Sequence, residues 1–243
     1  PSARDRRLTI LLTPFMSCSA KIPIYAVFTA AFFPQHAVLA MALLYFGGMV
    51  VGVLISLLLN HTVFRGNPVP FVMELPNYRL PTLKSVAMLL WDKARDFLQR
   101  AFTVIFVATL AIWFLESFDL HLNFVTDSSR SLLASIGRIL APVFRPLGFG
   151  SPACVAALIA GLLAKENILS ALSVTGAASA FTLPSALAFV TFSALYAPCA
   201  AACAVLRREL NSRGRMLLAV LSQTGAAWLA AFIIYRITLL VCR

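Results

Sequence analysis

This chain of 243 residues is 60% hydrophobic and only 12% charged, roughly half the charged share of an average soluble domain, which excludes an ordinary soluble enzyme or binding module. Its formal net charge of +11 would suit a nucleic-acid binder. The basic residues, however, collect in short connectors with no aromatic stacking platform beside them, so no nucleic-acid partner is expected and a lipid bilayer is. The apolar runs approach or exceed the ~20 residues of a bilayer crossing and lack a barrel's short alternating strands, so the fold class is all-α, a polytopic helical membrane protein.

Six apolar segments are expected in chain order, at 8–33, 37–60, 101–118, 152–173, 183–206 and 216–240. They divide the chain into a first broken segment with its following helix (1–60), a polar connector (61–100) and the remaining membrane helices (101–243). The first segment is interrupted at Pro14-Phe15-Met16-Ser17-Cys18-Ser19-Ala20-Lys21-Ile22-Pro23, and the fifth at Tyr196-Ala197-Pro198-Cys199-Ala200. A helix broken inside a bilayer must line a cavity or meet protein partners, because its freed backbone groups find no water there. Discontinuous or re-entrant helices are therefore predicted at both places. Pro14-(x)3-Cys18-x-Ala20 and Pro198-Cys199-x-Ala201 each lead toward a hydrophobic helix, the trace an inverted repeat would leave.

Within the connector, 65–76 is Pro-rich and extended, whereas Thr82 to Arg100 sets Leu83, Val86, Leu89, Leu90 and Phe97 against Lys84, Asp92, Lys93, Arg95, Asp96 and Arg100 at helical spacing. That pattern predicts a basic amphipathic helix lying in the interface. Residues 119–150 read as a second connector, with a short helix from Ser131 to Leu140 ending before Pro142. Lys and Arg number three in the N-terminal tail, six over 61–100 and four over 207–215. If every segment crosses, the third group falls on the wrong side for the positive-inside rule; a re-entrant segment removes the conflict.

Five cysteines form no Cys-x-x-Cys pair, so thiols rather than a disulfide framework are expected. Cys18 and Cys199 stand beside the helix breaks and are the first candidate metal ligands. Cys203 would share a helical face with Cys199, while Cys154 and Cys242 read as packing residues. Among charged residues, only Lys21, Lys165 and Glu166 fall well inside an apolar segment. Lys165, Glu166 and Asn167 thus mark a pathway, with Glu166 as the third candidate ligand and Lys165 and Asn167 in support. Met16 could add a thioether and Ser17 a hydroxyl. Two thiols and a carboxylate suit a ferrous ion better than Mg²⁺, though ligand type alone also admits Zn²⁺ and Mn²⁺. Signatures of nucleotide-binding loops and hydrolase nucleophiles are absent from the sequence, so a transporter rather than an enzyme is expected, with no resident cofactor. An organic-solute, nucleoside-like transporter and a non-transporting assembly subunit or remnant are the alternative readings.

Five motifs occur in an order that resembles the ferrous iron transport protein B family. They are Pro14 to Tyr25, Met73-Glu74-Leu75-Pro76-x-Tyr78-Arg79-x-Pro81, Pro146-Leu147-Gly148-Phe149, Gly161-(x)3-Lys165-Glu166 and Pro198-Cys199-(x)7-Arg207-Arg208-Glu209. The resemblance covers the C-terminal membrane portion alone and implies a multi-pass bacterial inner-membrane Fe²⁺ importer. It implies two gate motifs, carrying Cys18 and Cys199, with Lys165 and Glu166 as a characteristic pair between them. It further implies a GTP-binding domain, in cis or in trans, to which GTP and Mg²⁺ belong, and it leaves room for a homo-oligomer. The chain starts at Pro1 and is expected to be a fragment or a split-gene subunit.

Overall fold

Breaks in the helices, more than their order, organise this molecule. The computed structural model describes residues 3–62, 81–100, 102–103, 106–119, 121, 123–125, 130–175 and 180–241. The expected extended stretch 65–76, most of the Met73 to Pro81 motif and Cys242 lie outside the described residues. The described part is helical, as expected of an all-α membrane protein, with one isolated bridge between Phe118 and Phe124.

Helix α1 (Ala3–Leu12) runs through a 3-10 turn at Thr13–Phe15, an extended stretch and a second turn at Ser19–Lys21 into α2 (Ile22–Phe32). Pro23 is tolerated in the first turn of α2, where an N–H would have no intrahelical acceptor. α3 (Ala37–Thr62) and α11 (Arg213–Val241) are long and apolar enough to cross a membrane unbroken. Their outer faces are exposed Leu, Val, Ile and Phe, the surface that lipid requires. Between them come α4 (Leu83–Arg100), α5 (Phe106–Ser117), α6 (Leu132–Phe144), α7 (Pro152–Leu163), α8 (Asn167–Val174), α9 (Leu183–Leu195) and α10 (Ala200–Leu210). α4 forms over the expected residues, and every side chain from Leu83 to Gln99 is exposed.

The 119–150 region is more than the connector expected of it. α6 continues through Pro142 to Phe144 and pairs with α7 at a bend of 103°. Proline removes one ladder bond, but Leu133, Ala134, Gly137 and Ala141 make a buried stripe that keeps the last turn packed on α7. Ser131 caps the start, its hydroxyl accepting from the Ala134 N–H at 3.1 Å. The bend turns on Gly148, whose φ of 79° is left-handed, a conformation costly for residues with a Cβ. Its hydrogen face also lies against the Tyr235 ring, which a Cβ would strike.

The core belongs to α9, whose residues from Ala188 to Leu195 are all buried. Phe149, Phe189 and Phe192 interlock there edge-on and tilted at ring centroids of 5.3 to 6.1 Å. α11 lays a stripe of small or narrow residues on it, Ala219, Gln223, Ala227 and Ala231, spaced four apart along one face. Small side chains let helix backbones approach closely, which is how apolar helices gain packing where lipid offers no hydrophobic drive.

Candidate functional site

Both cysteine-bearing breaks put the cysteine in the same backbone position. Cys18 has φ −96° and ψ 165° immediately before the Ser19–Lys21 turn, and Cys199 has φ −63° and ψ 165° immediately before α10. Each is the extended residue at a helix start, and neither side chain makes a capping hydrogen bond. The four described cysteines are thiols rather than disulfides. With no capping bond to hold them, both thiols are available to soft or borderline cations by ligand type.

The two thiols line one cavity of about 370 Å³, together with Met16, Lys21, Lys165 and Tyr196. Glu209, exposed on the last turn of α10, also borders it. Residues 181 positions apart in the chain are thus brought to a shared space, since α1 packs on α10 and α2 on α9 (199 − 18 = 181). Lys165 comes from a third break, the turn between α7 and α8, and is 4% exposed. Its Nζ donates to Ser193 O at 3.3 Å and Tyr196 O at 3.5 Å, and sits 3.4 Å from the Tyr196 ring centroid. Carbonyls at a helix C-terminus carry partial negative charge and the ring face adds more, so the amine is well placed there. The Tyr196 hydroxyl donates in turn to Leu158 O at 3.1 Å, joining the end of α9 to α7. Only glycine fits at 161, because a Cβ there would strike Ile168 and the Tyr196 hydroxyl. Lys21 makes the corresponding bond at the first break, Nζ to Met16 O at 3.0 Å.

Other expected residues fall elsewhere. Glu166 is exposed and does not border the cavity, while Asn167, half-buried at the start of α8, does not either. Neighbours in a turn point apart, and here Lys165 takes the interior while Glu166 takes the outside. Among the described residues, no three His, Cys, Asp or Glu side chains group closely enough to hold a metal ion. The structure thus brings both thiols to one cavity, which Glu209 borders and Glu166 does not. Ser17 turns aside, its Oγ 3.4 Å from the Tyr25 hydroxyl. Cys203 does not line the cavity, and its thiol lies 3.4 Å from Pro198 O. Cys154 is buried within α7.

The sequence reading left Lys21, Tyr196 and Glu209 out of the candidate site. Lys21 was visible as a cation inside an apolar segment, and Tyr196 opens the second break. Glu209 gave no local signal, because a charged residue at the end of a helix is ordinarily solvated.

Comparison with known proteins matches two family descriptions. "Ferrous iron transport protein B C terminus" covers residues 41–93, and "Nucleoside recognition", the gate family, covers residues 98–213. Among curated relatives, the Fe(2+) transporter FeoB of Staphylococcus aureus strain MSSA476 is 36% identical over 96% of this chain and 37% of its own length. The Porphyromonas gingivalis Fe(2+) transport protein A/Fe(2+) transporter FeoB fusion protein is 31% identical over 98% of this chain and 35% of its own. The Salmonella typhimurium Fe(2+) transporter FeoB is 41% identical over 70% of this chain and 22% of its own. The chain thus matches little more than a third of the length of the first two relatives and less than a quarter of the third. No solved structure matches it.

Proposed function

We propose that this chain, which belongs to the ferrous iron transport protein B family as its C-terminal membrane portion, is the permease portion of a ferrous iron transporter. The observation that carries this reading is the single cavity lined by Cys18 and Cys199, each placed at a helix start by a break. The substrate is Fe²⁺, a borderline ion that thiolates bind well. Two sulfur ligands suit passage better than a closed set of four, because a transported ion must be held strongly enough to lose water and weakly enough to leave. Glu209 at the exposed side supplies a carboxylate that draws the cation toward the sulfurs.

In this reading the chain lies in the bacterial inner membrane with several crossings, and a G domain, in cis or in trans, controls opening. GTP and Mg²⁺ belong to that domain. The amphipathic α4, exposed on every side, is the surface available for coupling to it. Glu166, exposed in the turn after α7, belongs to the approach rather than to the ligand pair.

The test is Fe²⁺ uptake by the complete transport system carrying Cys18→Ser together with Cys199→Ser. Uptake at limiting iron should fall at least tenfold while the protein still reaches the membrane. Wild-type uptake would remove the ligand role. The match to a nucleoside recognition family favours one second reading, an organic-solute carrier. Competition decides it: nucleosides in excess should leave Fe²⁺ uptake unchanged.

A further inference from the structure

A broken helix frees carbonyl oxygens, and these are hard ligands of the kind that Mg²⁺, Ca²⁺ and Mn²⁺ prefer. At both cysteine-bearing breaks a lysine reaches such oxygens. Lys21 donates to Met16 O in the first, and Lys165 donates to Ser193 O and Tyr196 O in the second. Both lysines are 4% exposed, and both line the cavity that Cys18 and Cys199 line. They reach these places independently, Lys21 from the turn that leads into α2 and Lys165 from the turn between α7 and α8. An ammonium group offers donors and no acceptor, so it covers oxygen while leaving sulfur uncovered.

The geometry points to Lys21 and Lys165 as specificity-determining residues, whose amines cover the backbone oxygens a hard cation would use and leave the two thiols as the ligands offered. Neither lysine touches the ion. Each works by subtraction, removing oxygen from the coordination choices at a site where sulfur remains. A cavity with carbonyls open would hold Mn²⁺ and Fe²⁺ almost alike, since the two are neighbours in ligand affinity. One whose oxygens are covered discriminates through sulfur. This inference rests on the permease reading and adds to it the basis of ion choice.

The experiment measures Fe²⁺ and Mn²⁺ uptake by proteoliposomes holding the complete transport system, for wild type, Lys165→Met, Lys21→Met and Lys165→Arg. The Mn²⁺ to Fe²⁺ uptake ratio should rise at least about threefold in Lys165→Met, which takes the donor from Tyr196 O, and likewise in Lys21→Met, which takes it from Met16 O, both residues of the cavity lining. Lys165→Arg, which keeps the donors, should stay within about threefold of wild type. An unchanged ratio in both methionine variants with Fe²⁺ uptake intact overturns the inference and leaves the permease reading standing. Equal loss of both ions marks a merely structural role and also overturns it. Absence of Fe²⁺ uptake in wild type removes the permease reading and this inference with it. Size-exclusion chromatography reports whether Lys165→Met assembles; if it does not, the Lys21→Met ratio decides.

Discussion

The break at residues 13–21 and the break at 196–199 carry the same chemistry in opposite mechanical settings. At the first, Met16 is 52% exposed and Cys18 is exposed, and Lys21 on the Met16 carbonyl and the Ser17–Tyr25 contact help hold the turn. At the second, Tyr196 and Ala197 are 3% and 2% exposed, and Lys165, the Tyr196 ring and Leu158 O tie the end of α9 to α7 and to the turn that follows it. The cause is α9, which is buried on every face and so ends against protein, whereas α1 ends near the surface. Segments with few buried contacts open at lower free energy than segments inside a core. One thiol is therefore held by a rigid wall and the other by a more compliant one.

The strongest way to break this comparison is to spoil the rigid side. Gly161→Val places methyl groups where Ile168 and the Tyr196 hydroxyl already stand, and should cost about 3 kcal/mol. Thermal unfolding in detergent checks this, and a wild-type midpoint would show that the second break yields. Lys165→Met comes next, at about 2 kcal/mol, because it takes a donor from two carbonyls in a buried place; Lys21→Met, at the break with the more exposed neighbours, should cost less. Equal losses would erase the mechanical difference between the breaks.

Thiol labelling sharpens the same contrast without changing side chains. A membrane-permeant maleimide should modify Cys18, which is exposed, about tenfold faster than half-buried Cys199, with buried Cys154 slowest. Mass spectrometry of the labelled chain reads the order, and equal rates for the first two would contradict it. The smallest expected effect is a matched pair of hydroxyl deletions. Tyr196→Phe loses a bond to Leu158 O at 3.1 Å and should cost about 1 kcal/mol. Tyr25→Phe loses only the 3.4 Å contact with Ser17 and should cost about 0.5 kcal/mol or less. A larger loss for Tyr25→Phe would reverse the assignment of the rigid side.

Much of this arrangement was legible from residues alone, and what was not has identifiable causes. Prolines flanking the cysteine segment, Pro14 and Pro23 at the first and Pro198 at the second, announced both breaks, because proline removes a backbone donor and disfavours helix at the residue before it. The amphipathic spacing of Leu83 to Arg100 announced α4. Pro142 misled in the other direction: it promised a helix end, but packing of Gly137 and Ala141 on α7 carried α6 past it. Where Glu166 would face was not legible, because rarity of charge inside an apolar segment marks a break or an interior face without saying which. The Lys165–Glu166 step contains a turn, and the turn sent the cation inward and the anion out.

Composition and local pattern by themselves determined that this chain is a helical membrane protein with thiols at two interruptions, since both follow from the cost of leaving backbone polar groups unsatisfied in hydrocarbon. Only the tertiary structure decided that Cys18 and Cys199 line one cavity, that lysines from two different turns cover the freed carbonyls, and that Glu209 stands beside them instead of Glu166. Those outcomes depend on how α1 meets α10 and how α2 meets α9 across the bundle. Contacts between residues distant in the chain are set by packing rather than by their immediate neighbours in sequence.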